Sequence, residues 1–118
     1  MPRASSSSVQ VFYPRYSQAE ILDRLRSGLG HLREKLPLKF VALFGSYATM
    51  SYTVASDIDV LIVYEGDRRE DAYALSKKIL AIQSLEPHVY SEGEYEKIKE
   101  TVGKMLKGSV VLYPIDGA

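Results

Sequence analysis

The chain has 118 residues, 15 basic and 15 acidic side chains, and no cysteine. This is room for one domain of ordinary size. The balanced charge argues against a general nucleic-acid binder, which carries a basic excess, and the lack of cysteine excludes a disulfide framework and thiolate chemistry. No apolar run approaches the roughly 18 residues of a membrane span, and "MPRASSSSVQ" lacks the apolar stretch of a signal peptide. A cytoplasmic protein is the expectation.

Taken in chain order, residues 1–16 read as a flexible leader. Within it "VQVFYP" (9–14) has strand composition, either as an edge strand or as a loop packed on the body, with Pro14 closing it early. Residues 17–118 read as a single domain. Ser17 and Glu20 have the spacing of a capping box. Ile21, Leu22, Leu25, Leu29 and Leu32 then recur at helical spacing, which predicts a helix over 17–35, stopped by Pro37. "LKFVALF" (38–44) is a first core strand and "DVLIVY" (59–64) a second, whose near-continuous apolar character suggests burial on both faces. Gly66 and Asp67 turn the chain out of it.

Ala72, Leu75, Ile79 and Ile82 predict a second helix over 69–83. A third strand is expected over 86–91. Ser91 and Glu94 then repeat the capping-box spacing before a helix with Tyr95, Ile98, Val102 and Met105 on one face, stopped near Gly108. A last strand is expected over 109–114. The order α-β-β-α-β-α-β defines an α/β (α+β) domain, a small mixed sheet flanked by helices.

The stretch that carries chemistry is "LFGSYATMSYTVASDIDVLIVY" (43–64). Side chains i and i+2 share a face of a strand, so Asp57 and Asp59 point the same way while Ile58 and Val60 point into the packing. Two carboxylates so close repel one another, and a divalent cation removes that penalty. By itself the pair reads more readily as a solvated strand end than as a metal site. Gly45 and Ser46 end the preceding apolar run. Glycine admits close approach of backbone to a ligand, yet glycine and serine are also common at any strand-to-turn junction.

Read together, Gly45-Ser46, ten residues, and Asp57-Ile58-Asp59 match a G-S-x10-D-x-D pattern. On these residues and their flanks, "FVALFGSYA" and "SDIDVLIVY", the chain resembles the polymerase-beta-like nucleotidyltransferase superfamily. Its small size resembles the minimal nucleotidyltransferase (MNT) branch, over roughly residues 38–114, with the ending "LKGSVVLYP" included. The resemblance implies the nucleotidyltransferase fold and Mg²⁺-ATP, or another nucleoside triphosphate, held by Gly45 and Ser46. It implies that Asp57 and Asp59 hold two Mg²⁺ ions, which two-metal sites place roughly 3.5–4 Å apart. A third acid on a later strand falls by alignment on Glu86, where aspartate is commoner. His88, two residues on, either borders the same site or serves strand packing.

Many family members carry a basic residue and a glycine where this chain has Thr49 and Met50. The missing cation leaves catalysis slow or decayed unless another base, such as Arg68, Arg69 or Lys77, substitutes for it. Tyr73 and Tyr95 read as core or semi-core residues, His31 as a helix-surface residue, and Gly108-Ser109 as a helix stop rather than a second phosphate loop. The resemblance further implies transfer of AMP to a tyrosine of a HEPN-domain protein, the pair acting as toxin and antitoxin. A binding module that neutralises its partner by contact and an antibiotic-type small-molecule nucleotidyltransferase are the alternatives. A homo-oligomer stays open.

Overall fold

The computed structural model describes residues 16–114. The serine run and the "VQVFYP" segment lie outside them. Eight elements follow in order: α1 (Gln18–Leu32), β1 (Leu38–Phe44), α2 (Ser46–Thr49), β2 (Ile58–Tyr64), α3 (Ala72–Leu80), β3 (Leu85–Ser91), α4 (Glu92–Met105) and β4 (Val110–Tyr113). The mixed α/β class and the expected order hold, with the single turn α2 added after β1.

The strands form one sheet in the order β3-β2-β1-β4. β1 pairs antiparallel with β2 and with β4, while β2 and β3 are parallel. A parallel neighbour cannot be reached by a hairpin, and α3 makes the crossover. Both long capping boxes are present. The Ser17 hydroxyl accepts from the Glu20 N–H, and the Glu20 carboxylate accepts from the Ser17 N–H. Ser91 and Glu94 do the same at the start of α4.

Helix ends differ from the periodicity. α1 closes at Leu32 and the chain continues as tight turns to Leu36, whose side chain still enters the core. α3 starts three residues late because the Arg69 N–H donates to the Tyr64 hydroxyl while its guanidinium pairs with Asp71. It ends early at Ala81, whose backbone is left-handed at φ 47°. Ile82 is buried nonetheless. Apolar spacing thus reported burial beyond the helix proper.

The two faces of the sheet have different covers. Ile58, Val60, Ile62 and Tyr64 of β2 pack with Val41 and Leu43 against Ile21, Leu25, Leu29 and Leu32 of α1 and Ala72 and Leu80 of α3. The other face carries Phe44, Leu61 and Val63 under Val102 of α4, with Tyr95, Ile98 and Leu106 partly buried beside them. β2 is therefore buried on both sides, as its composition required. Removing a fully buried side chain such as Leu25 typically costs about 2–5 kcal/mol. No described helix is long and apolar enough to cross a membrane.

Candidate active site

The register of three strands aligns one row of residues at one end of the sheet. Phe44 of β1 pairs with Asp59 of β2, and Asp59 pairs with Glu86 of β3. Asp59 shares its face with Leu61 and Val63, the face under α4, because it alternates with the core residues Ile58 and Val60. Asp57 lies just before β2 and is exposed. Asp59 is half-buried, with 29% of its side chain accessible.

Gly45 leaves β1 with φ 73° and ψ −155°. That region is open to glycine alone in practice. The turn brings the backbone against the second acid of the pair: a β-carbon at position 45 would stand 2.7 Å from Asp59 Oδ2. The glycine and the aspartate, fourteen positions apart in sequence, are thus in direct contact. Ser46 follows as the first residue of α2 and is half-exposed.

This turn is braced from α1. The Gln18 side-chain amide donates to the carbonyls of Tyr47 (3.0 Å) and Ala48 (3.2 Å). The Gln18 backbone N–H donates to the Tyr52 hydroxyl, and the Tyr47 hydroxyl donates to the Tyr16 carbonyl. The Tyr47 and Tyr52 rings stack with centroids 4.1 Å apart and planes 3° from parallel. Burial, then the neighbouring Tyr52, pushes the Tyr47 phenol above its ordinary range, which keeps it the donor of that bond. No periodicity links Gln18 to residues 47 and 48, so sequence alone gave no sign of the brace.

His88 is the second contact that spacing left undecided. Its Nε2 lies 3.3 Å from Asp59 Oδ1, and its ring meets Phe44 edge-on with centroids 5.0 Å apart. It both packs and borders the acid. Glu86 is exposed, and its Oε1 accepts from the Tyr73 hydroxyl at 3.4 Å. Tyr73 is not a core residue: it is 45% exposed and wraps the β3 edge to reach Glu86. Tyr95 is partly buried as expected, and His31 is exposed. Pro87 is accommodated because β3 is an edge strand, where a missing N–H leaves no ladder bond unmade.

The substitutes expected for the absent basic residue are not equivalent. Arg68 and Arg69 follow the far end of β2, about 20 Å along the strand from its start. There they pair with Glu70, Glu94 and Asp71, which hold both guanidinium groups firmly protonated. They are too distant and already engaged. Lys77 Nζ lies 6.0 Å from the centroid of the Tyr73 ring. Thr49 donates to the Gly45 carbonyl at 3.3 Å and exchanges a hydrogen bond with Ser51. Met50 takes the left-handed conformation at φ 66° and is exposed. It is the conformation a glycine would hold there without strain. Gly108 ends its turn against the Thr49 methyl, so the α4–β4 turn borders this loop.

Two aspartate carboxylates are hard oxygen donors of the kind that bind Mg²⁺ together with substrate phosphates. The Asp59 carboxylate set against the Gly45 turn fits a cation held between carboxylate and phosphate. Among the described residues, no group of three or more acidic, histidine or cysteine side chains is gathered tightly enough to hold a metal ion alone.

Fold and site together define a domain of the nucleotidyltransferase class. Residues 25–113 match the family described as Nucleotidyltransferase domain, and the chain belongs to that family. Three proteins of Methanocaldococcus jannaschii, provisionally named protein adenylyltransferases, are 48%, 46% and 46% identical to it over 46 residues. The match takes in 39% of this chain and 47% of each relative, so it spans about half the length of those proteins. A crystal structure of a provisionally named nucleotidyltransferase from Sulfolobus solfataricus is similar over 80% of each chain, with a TM-score of 0.57 and 23% identity. That is a likeness of fold.

Proposed function

We propose that this protein transfers a nucleoside monophosphate, AMP from ATP, to a hydroxyl group of a protein partner. The observation that carries this reading is the contact of Gly45 with Asp59 Oδ2. It sets a glycine-serine turn against a carboxylate, and so a phosphate beside a cation.

Asp57 and Asp59 would hold Mg²⁺ with the triphosphate, and the ion would supply neutralisation of charge on the phosphates and the pyrophosphate. Gly45 leaves the turn open to the phosphates, and Ser46 offers its hydroxyl to them. Glu86, beside Asp59 in the parallel pair, is the third acid and takes the acceptor proton once released from Tyr73. The acceptor oxygen forms a bond to the α-phosphorus, the bond from that phosphorus to the α–β bridging oxygen breaks, and pyrophosphate leaves. The contribution of the chain is position and charge rather than covalent chemistry.

The names of the Methanocaldococcus relatives support a protein acceptor. The resemblance to minimal nucleotidyltransferases supports a HEPN-domain partner and an antitoxin role. The test is intact mass spectrometry of this protein incubated with Mg²⁺, ATP and its genomic-neighbour HEPN protein. A mass gain of one AMP on the partner, absent with Asp57→Ala/Asp59→Ala, is expected.

A second reading has its own support. Glu86 is engaged by Tyr73, and Thr49 brings no cation to the loop. Neutralisation by contact alone fits these two observations. It would show as silencing of the partner without mass change, undiminished in the double aspartate variant.

A further inference from the structure

We infer that His88 is a positioning residue that divides the two oxygens of Asp59, one held by imidazole and one turned to the nucleotide. The inference rests on the nucleotidyl-transfer reading above. Its basis is that the two oxygens have different neighbours. Oδ1 faces His88 Nε2 at 3.3 Å, and Oδ2 lies over Gly45, where a β-carbon would come within 2.7 Å of it. A carboxylate oxygen accepts hydrogen bonds, so this contact is a hydrogen bond in the ring tautomer that has N–H at Nε2. The ring is fixed in turn: it stands edge-on to Phe44, the residue paired with Asp59 across β1 and β2. A T-shaped pairing of aromatic rings is a favoured arrangement.

The division matters because so few protein groups are gathered here. Among the described residues there is no cluster of three metal-binding side chains. A cation held by two carboxylates and phosphate oxygens depends on the direction of each carboxylate. A free Asp59 side chain would rotate and present either oxygen or both. With Oδ1 tied to His88, Oδ2 alone is offered on the side of the Gly45 turn. Residues that orient a ligating carboxylate typically contribute 10- to 100-fold in metal affinity. Glu86 does not share this work, since its carboxylate is turned to the Tyr73 hydroxyl.

The experiment uses the full chain with ATP and Mn²⁺ as a paramagnetic stand-in for Mg²⁺. Free Mn²⁺ is read by electron paramagnetic resonance, and nucleotidyl transfer is assayed in parallel. His88→Ala is expected to weaken Mn²⁺ binding about 10- to 100-fold. His88→Gln places an amide N–H near the position of Nε2 and is expected to restore most of that loss. His88 is part-exposed, so both variants should fold, and circular dichroism checks it. Wild type that binds Mn²⁺ with His88→Ala binding equally well overturns this inference alone. So does an electron–nitrogen coupling from the imidazole, which would make His88 a direct ligand. Wild type that binds no Mn²⁺ with ATP removes the nucleotidyl-transfer reading, and this inference with it.

Discussion

Asp59 Oδ2 occupies the space that a side chain at position 45 would need, 2.7 Å from where its β-carbon would stand. Gly45 directly follows β1 and Asp59 is the second residue of β2, and Phe44 and Asp59 are paired across the strands. Glycine is therefore required twice at this position, by the backbone at φ 73°, ψ −155° and by the acid. Gly45→Ala should destabilise the fold by about 1–3 kcal/mol and abolish transfer. Adding Asp59→Ala should relieve the collision but not the backbone strain. Urea unfolding of the four proteins of this double-mutant cycle should show a coupling of about 0.5–3 kcal/mol. Simple additivity would mean that the two residues are not in contact.

The direction of Asp59 and the glycine turn were legible because strand alternation and residue type determine them locally, whereas Asp57 lies just outside β2, where alternation does not act. Asp59 had to face away from Ile58 and Val60, and β2 had to be buried on both sides. What was not legible is long-range. Gln18 reaches residues 47 and 48, and His88 reaches Asp59, through folding rather than spacing. Tyr73 read as a core or semi-core residue because helical periodicity cannot show that its hydroxyl will reach Glu86 on β3. Arg68 and Arg69 read as substitutes for the missing cation because a linear sequence hides which end of β2 they follow. Ile82 shows the reverse error: its spacing was right for burial but wrong for the helix.

The Gln18 amide satisfies two carbonyls of the loop that carries Ser46. Gln18→Ala should cost about 1–3 kcal/mol, the penalty for leaving part-buried polar atoms without partners. Gln18→Glu should cost more, because carboxylate oxygens would then face carbonyl oxygens. Thermal melts order the variants. Steady-state kinetics should show a raised KM for ATP with a smaller change in kcat, since the loop that meets the phosphates is loosened while the acids stay in place. An unchanged melting temperature in both variants would remove Gln18 as a brace.

Asp57 is exposed and Asp59 half-buried, so neither holds the core together. Asp57→Asn and Asp59→Asn should leave the melting temperature close to wild type. Each should lower nucleotidyl transfer by at least about 100-fold, the scale of losing one electrostatic contact to a transition state. Chelation of Mg²⁺ by EDTA should match the double variant, and readdition should restore only the wild type. Transfer that survives EDTA would remove the metal from the proposed chemistry.

Three surface carboxylates make the fold acid-sensitive. The Gly66 N–H and then Lys39 hold Glu92 below its ordinary range, Arg69 does so for Asp71, and Ser17 does so for Glu20. Each is depressed in the folded protein, so its contribution is present above the unfolded-state pKa, about 4, and is lost as pH falls through the lower folded values. The melting temperature should be flat above about pH 5 and fall below about pH 4. Glu92→Gln should make that fall shallower without moving the plateau much. An equally steep fall in Glu92→Gln would show that the Gly66 and Lys39 contacts do not persist in solution.

Glu86 and Tyr73 decide between transfer and contact. In register Glu86 stands beside Asp59, yet its carboxylate takes the Tyr73 hydroxyl at 3.4 Å, a long hydrogen bond between exposed groups. Such a bond is weak, and Tyr73→Phe should change stability by no more than about 0.5 kcal/mol. Freed from the hydroxyl, Glu86 can turn toward Asp59 at lower cost, so Tyr73→Phe should raise the transfer rate. Glu86→Gln keeps the shape and removes the charge, and should lower the rate by at least about 100-fold. In Tyr73→Phe/Glu86→Gln the gain should vanish, because it acts only through the carboxylate. Equal gains with and without Glu86 would place the effect of Tyr73 elsewhere, and a rate indifferent to Glu86→Gln would leave Asp57 and Asp59 as the whole acid set.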